Sequence, residues 1–126
     1  MLTGSFEEFS FDEIITLTGK FSGKLIVWNL PHAKLYDLHI NQMILKSISV
    51  DQKPLLDSSR AFDEIAMLLS AKQGRFEFVP ADADDLRTDL DIDLNRIILD
   101  AAVALDEFKE SLKTFLDDPS SNETLF

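Results

Sequence analysis

The 126-residue chain contains no cysteine. Disulfides, thiol nucleophiles and thiolate-held metals are thereby excluded, and the composition suits a reducing compartment. Glycine is scarce as well, with four residues at positions 4, 19, 23 and 74. Spaced so widely, they leave no glycine-rich loop to cradle a phosphate. Positive charge is in short supply: 12 Lys plus Arg stand against 23 Asp plus Glu, for a net charge of -11. Such a surface repels phosphate backbones and anionic headgroups, so neither nucleic acid nor a membrane is the expected partner. The longest apolar runs, such as residues 25–30, fall far short of a bilayer span, and the opening MLTGSFEEF lacks the basic and apolar regions of a secretory signal. A soluble, cytoplasmic, single-domain protein is expected.

What is present is the patterning of an α+β domain: a small antiparallel sheet (a meander plus a returning strand) packed with two helices, and a long C-terminal amphipathic helix. The stretch from Ala61 to Pro80 organises it. Phe62, Ile65, Ala66 and Leu69 recur at helical spacing and predict one buried stripe. Gly74 suits a positive φ at the helix stop, Phe76 and Phe78 then alternate to one face of a strand, and Pro80 closes it. Nearer the N-terminus, Leu2 to Phe6 reads as an edge strand or an ordered arm. Ser10 and Glu13 form a capping box, flanked by Phe9 and Ile14 as a hydrophobic staple, and predict a helix starting near Phe11. Its inner face is Phe11, Ile14, Ile15 and Thr18, with Leu17 and Phe21 beside them. Residues 24–30 carry apolar side chains on both faces, as in a central strand covered twice or covered once by a partner. Tyr36, Leu38 and Ile40 alternate, Asn41-Gln42 suits a turn, and residues 43–50 return, which completes a three-stranded meander. Asp57, Ser58 or Ser59 caps the second helix.

Residues 81–93 hold six aspartates, at 82, 84, 85, 89, 91 and 93, around Arg87. The composition reads as a solvated linker. As a calcium loop it fails, because Arg87 stands where an EF-hand needs glycine and Asp93 where it needs a bidentate glutamate. Beyond it, Asp93 or Asn95 caps a last helix in which Leu94, Ile98, Ala101, Leu105, Phe108, Leu112 and Phe115 are spaced as a heptad seam. The flanking positions carry Ile97, Ala102, Ala104 and Leu116 rather than paired charges, so the apolar stripe is wider than a simple two-stranded coil uses. Its start, to about Leu105, is expected to pack on the domain and its end to project toward a second chain. The chain thus divides into a core over 1–80, an acidic linker over 81–93, a helix over 94–116 and a polar, disordered tail over 117–126.

No constellation of catalytic, cofactor-binding or metal-binding residues emerges. His32 beside Pro31 and His39 opposite Leu38 lack ligand partners at useful spacing and read as exposed polar positions. Ser58 and Ser59 lack a base and read as caps. Trp28 and Tyr36 are core residues or interface anchors. The candidate contact residues are therefore Trp28, Tyr36, Phe108, Leu112, Phe115 and Leu116.

Three blocks give the chain a family resemblance. Gly4, Phe9, Ile14, Ile15 and Leu17 followed by Ser22-Gly23-Lys24-Leu25, then Tyr36 to Ser47, then Ala61 to Phe78 with its Gly74-Arg75-Phe76-Glu77-Phe78 close, resemble the PATAN family, named for the N-terminal part of PatA-like bacterial response regulators. Asn95 to Glu107 is similar to the helix that often follows. The chain departs from the pattern where Asn41 and Ser59-Arg60 replace family glycines. The resemblance implies a non-catalytic interaction module (an adaptor) in prokaryotic signal transduction, linked to response-regulator pathways, with another protein as partner and, from the last helix, a homodimer. The alternative is an acidic ligand module, binding a cation through Asp82 to Asp93 or a basic protein.

Overall fold

In the computed structural model, which describes the backbone of residues 2–117 and the side chains of residues 2–110, the chain forms a mixed α+β fold of seven strands and three helices. In order these are β1 (Leu2–Ser5), α1 (Phe11–Thr18), β2 (Ser22–Trp28), β3 (Tyr36–Asn41), β4 (Ile44–Val50), β5 (Lys53–Pro54), α2 (Ser58–Ser70), β6 (Arg75–Pro80), β7 (Ile92–Asp93) and α3 (Leu94–Asp117). The sheet runs β1-β6-β2-β3-β4-β5, every pairing is antiparallel, and β7 also pairs with β4. The meander is β2-β3-β4, and the returning strand β6 inserts between β1 and β2. Strands β5 and β7 have two residues each, too few for any periodicity to announce them.

Period-two alternation sends Leu25, Val27, Tyr36, Leu38, Ile40, Phe76 and Phe78 to one face, where they are buried. The helices close that face with Phe11, Ile14 and Ile15 from α1, Ala61, Ile65 and Leu68 from α2, and Leu94, Ile97 and Ala101 from α3, in one apolar cluster. Each helix starts on a capping residue. The Ser10 amide donates to Glu13 Oε1 at 3.4 Å, Asp57 accepts from the Ser59 amide at 2.9 Å, and Asp93 accepts from the Asn95 amide at 2.9 Å. On α2 the buried stripe is centred on Ala61, Ile65 and Leu68, with Phe62, Ala66 and Leu69 only partly buried. It is rotated from the predicted stripe because α2 packs against α3 on one flank and against α1 on the other. Leu17 and Phe21, expected beside the inner face of α1, are exposed.

The β3–β4 turn lies one residue later than the sequence predicts. Asn41 is still in β3 and pairs with Ile44, while Gln42 and Met43 take φ of 49° and 66°, the two positive values of a type I′ turn. Tertiary hydrogen bonds select this register. The Met43 amide donates to Gly19 O at 2.6 Å, the Gln42 amide to Phe21 O at 3.2 Å, and Met43 O accepts from the Leu94 amide at 2.8 Å. The hairpin tip therefore fastens the end of α1 and the start of α3. A second two-residue turn, Asp51 and Gln52 with φ of 52° and 69°, joins β4 to β5 and also lacks glycine. Gln52 is exposed, so Gln52→Gly relieves its left-handed strain without disturbing packing. We expect it to stabilise the fold by about 0.5–1 kcal/mol, net of glycine's larger unfolded-state entropy, read as a rise in the urea midpoint at constant slope.

The sheet's second face is crossed by residues 81–91. This acidic segment, which composition alone reads as a free linker, is a strap. It leaves β6 with the Ala81 amide donating to Ser22 O at 3.1 Å, makes one 3₁₀ turn at Ala83–Asp85, and buries Leu86. The Arg87 amide then donates to His39 Nδ1 at 2.7 Å, and the Asp89 and Leu90 amides both donate to Lys46 O at 2.8 Å. Lys46 is free to accept them because the β3–β4 register shifts there, pairing His39 with Ser47 and Ile40 with Leu45 and leaving Lys46 without an opposite residue. The strap reaches the outer edge of β4 as β7 and passes directly into α3.

Candidate interaction surfaces

Three groups of side chains stand out, beginning with α3. Leu94, Ile97 and Ala101 are buried against the body, and Ile98 and Leu105 are partly covered. Leu99 is 60% exposed on the outer side of the helix, and beyond Ala101 the cover thins, with Val103 46% and Phe108 66% exposed. The heptad spacing is thus used at its start and open at Phe108. The side chains of Leu112, Phe115 and Leu116 lie outside the described residues, as does the tail over 118–126.

The second group lies at the opposite end of β3. Tyr36, one of the predicted contact residues, is fully buried and belongs to the core. Its hydroxyl donates to Glu64 Oε2 on α2, His32 Nε2 lies 2.9 Å from the Tyr36 hydroxyl oxygen, and Lys34 Nζ donates to Glu64 Oε1 at 2.9 Å. The His32 and Tyr36 rings meet edge to face, with centroids 5.7 Å apart. Burial first, then the hydrogen bond to Glu64 and the charges of Glu64 and Asp51, hold the Tyr36 hydroxyl far above the ordinary phenol range. The four side chains answer one another and fasten the loop before β3 to α2. From sequence His32 reads as an exposed turn residue and Glu64 has no visible partner, because Tyr36 and Glu64 are 28 positions apart.

The third group lies beneath the strap. His39 does fall on the face opposite Leu38, as alternation requires, but the strap buries it. Its Nδ1 accepts the Arg87 amide, so its proton is on Nε2, which faces Asp37 Oδ1 at 3.4 Å. Ser47, fully buried, donates to Asp89 Oδ2 at 3.0 Å, and Arg87 Nε donates to the same oxygen. Lys46 pairs with Asp91 at 3.0 Å. A shallow cleft of about 500 Å³ beside the strap is lined by Lys24, Asp37, His39, Ser49 and Arg87. Trp28 lies on this same face, half-buried and opposite Arg75.

The aspartates of the strap do not converge. Asp89 and Asp91 are engaged by Ser47, Arg87 and Lys46, Asp93 caps α3, and Asp82, Asp84 and Asp85 face solvent. Among the described residues no three His, Cys, Asp or Glu side chains are grouped to hold a metal ion. No helix among them is long and apolar enough to cross a membrane. Comparison of the chain with protein-family models, curated proteins and solved structures finds no match.

Proposed function

We propose that this chain is a non-catalytic protein–protein interaction module of prokaryotic signal transduction, cytoplasmic, acting in response-regulator pathways and associating as a homodimer through α3. The observation that carries the reading is the split along α3: its apolar seam packs on the domain up to Ala101, with Ile98 partly buried, and is open at Phe108. A helix that keeps an apolar stripe beyond its own domain gains stability only when another surface covers that stripe. The resemblance of Gly4 to Val27, Tyr36 to Ser47 and Ala61 to Phe78 to the PATAN family supports the signalling context. The cluster around Tyr36 supports a structural rather than a catalytic use of the polar side chains, since each of its groups is already hydrogen-bonded within the molecule.

Light scattering tests the association. The full chain is expected at twice the monomer mass, and the double variant Phe108→Asp with Leu112→Asp at the monomer mass with an unchanged far-ultraviolet spectrum. A wild-type chain that stays monomeric at micromolar concentration, or a double variant that keeps the dimer mass, refutes it.

A further inference from the structure

At the end of the domain where α1 stops, an apolar groove of about 760 Å³ opens between α1 and the ends of β1 and β6. Its walls are Leu2, Leu17 and Phe21, which are 39%, 44% and 54% exposed. They form a neighbouring set rather than scattered apolar positions, which marks a contact surface. The Ser22 hydroxyl, also in the lining, is shielded from solvent and has no hydrogen-bond partner among the described residues, although a buried hydroxyl normally finds one. The rim is made by the strap. Its 3₁₀ turn presents Asp82 and Asp85 to the groove, with Asp84 beside them, and no ion pair engages any of the three among the described residues. Of opposite sign is Lys20, whose ammonium lies 5.6 Å from the centre of the Phe21 ring.

We infer that this groove is a docking site for a basic segment of another protein, one that places an aromatic or aliphatic side chain between Leu17 and Phe21 and sets Lys or Arg against Asp82 and Asp85. Charge decides between the occupants. A second copy of this chain would bring the same carboxylate rim and a net charge of -11 to a rim that already lacks counter-charge, and like charges juxtaposed at an interface are costly. An apolar floor with an acidic rim instead suits an apolar anchor flanked by cations: burial of the anchor supplies affinity, and the rim supplies encounter rate and selectivity. The Ser22 hydroxyl offers such a segment one hydrogen bond at the groove floor. The inference rests on the reading of the chain as an interaction module but not on α3, which presents a separate surface.

A phage-displayed library of random linear peptides, selected against the full chain, tests the site. Enriched peptides should carry one aromatic or large aliphatic residue flanked by Lys or Arg. Synthesised and titrated by fluorescence polarisation, they should bind Phe21→Asp and Leu17→Asp roughly tenfold more weakly or worse. Asp82→Asn with Asp85→Asn should weaken binding about threefold and flatten its dependence on salt. Phe21 and Leu17 are exposed, so these variants should keep the wild-type spectrum and melting temperature. Phe108→Asp should leave peptide affinity unchanged whatever it does to the oligomeric state, which separates this site from the α3 reading. The inference is overturned if no peptide is enriched, if the enriched peptides are acidic, or if they bind the Phe21→Asp and Leu17→Asp variants as well as the wild type.

Discussion

The single tyrosine of this chain is expected to keep its proton until the protein unfolds. Tyr36 is fully buried, and its hydroxyl donates to the Glu64 carboxylate, so ionisation in place would set a buried anion beside an anion. The folded-state pKa therefore lies above the unfolded value of ~10. A group raised in this way contributes stability that is fully present below about pH 10 and is lost above it, because only the unfolded chain then releases the proton. The loss is at most about 1.4 kcal/mol per pH unit, or about 2.7 kcal/mol by pH 12. Set against a total of ~5–15 kcal/mol for a domain, that is a large share. Since Tyr36 is the only tyrosine, its near-ultraviolet tyrosinate band reports this site alone. The band should rise together with the loss of far-ultraviolet dichroism, at a pH clearly above 10. Tyr36→Phe should cost about 1–3 kcal/mol at neutral pH, by taking from Glu64 one of its two hydrogen-bond partners, while removing this component of the alkaline transition. Tyrosinate appearing near pH 10 in a protein that still has its native dichroism would show that the site is open to water.

Gly74→Ala should be strongly destabilising. The residue takes φ of 146°, in a region that costs any other residue about 1–3 kcal/mol. A Cβ there would also lie 2.7 Å from Cδ2 of the buried Leu30, so that side chain would have to shift. Overpacking of that kind adds about 1–3 kcal/mol. The Gly74 carbonyl meanwhile accepts the Phe6 amide at 2.9 Å, so displacing this backbone loosens the chain just after β1. A combined loss of about 2–5 kcal/mol is expected, seen in chemical denaturation as a lower midpoint at unchanged slope. An alanine variant within 0.5 kcal/mol of the wild type, roughly the effect of an ordinary surface substitution, would mean that residue 74 relaxes to an ordinary conformation.

The same glycine shows what the sequence carries and what it does not. Positive φ at residue 74 is legible from its place between a helical stripe and an alternating strand. Its use is not: α2 ends four residues earlier, at Ser70, and Gly74 turns the chain into β6 rather than capping the helix. The meander, the first helix and the α3 seam are readable because period two, a Ser10–Glu13 box and heptad spacing are local signals. The strap is hidden because backbone amides of residues 87, 89 and 90 anchor it to His39 and Lys46, and a row of aspartates carries no record of where its amides point. Of the candidate contact residues, spacing puts Phe108 on the α3 seam, where its side chain is exposed. Alternation places Tyr36 and Trp28 on opposite faces of the sheet, but it cannot show that Tyr36 is sealed by α2 while Trp28 is half open, since the depth of cover is set by elements remote in sequence.

The position of β6 has a consequence for the newly made chain. Strands β1 and β2 run parallel, and each meets β6 rather than the other, so the ribosome delivers both flanks of the sheet well before the strand that joins them. Until residue 80 has emerged, two strand edges stay unpaired, and the most sequence-distant pairings of the sheet must wait for closure over a long loop. A nascent chain stopped before residue 75 therefore offers those edges to other chains, whereas one that has passed Pro80 holds the pairing from β1 to β4.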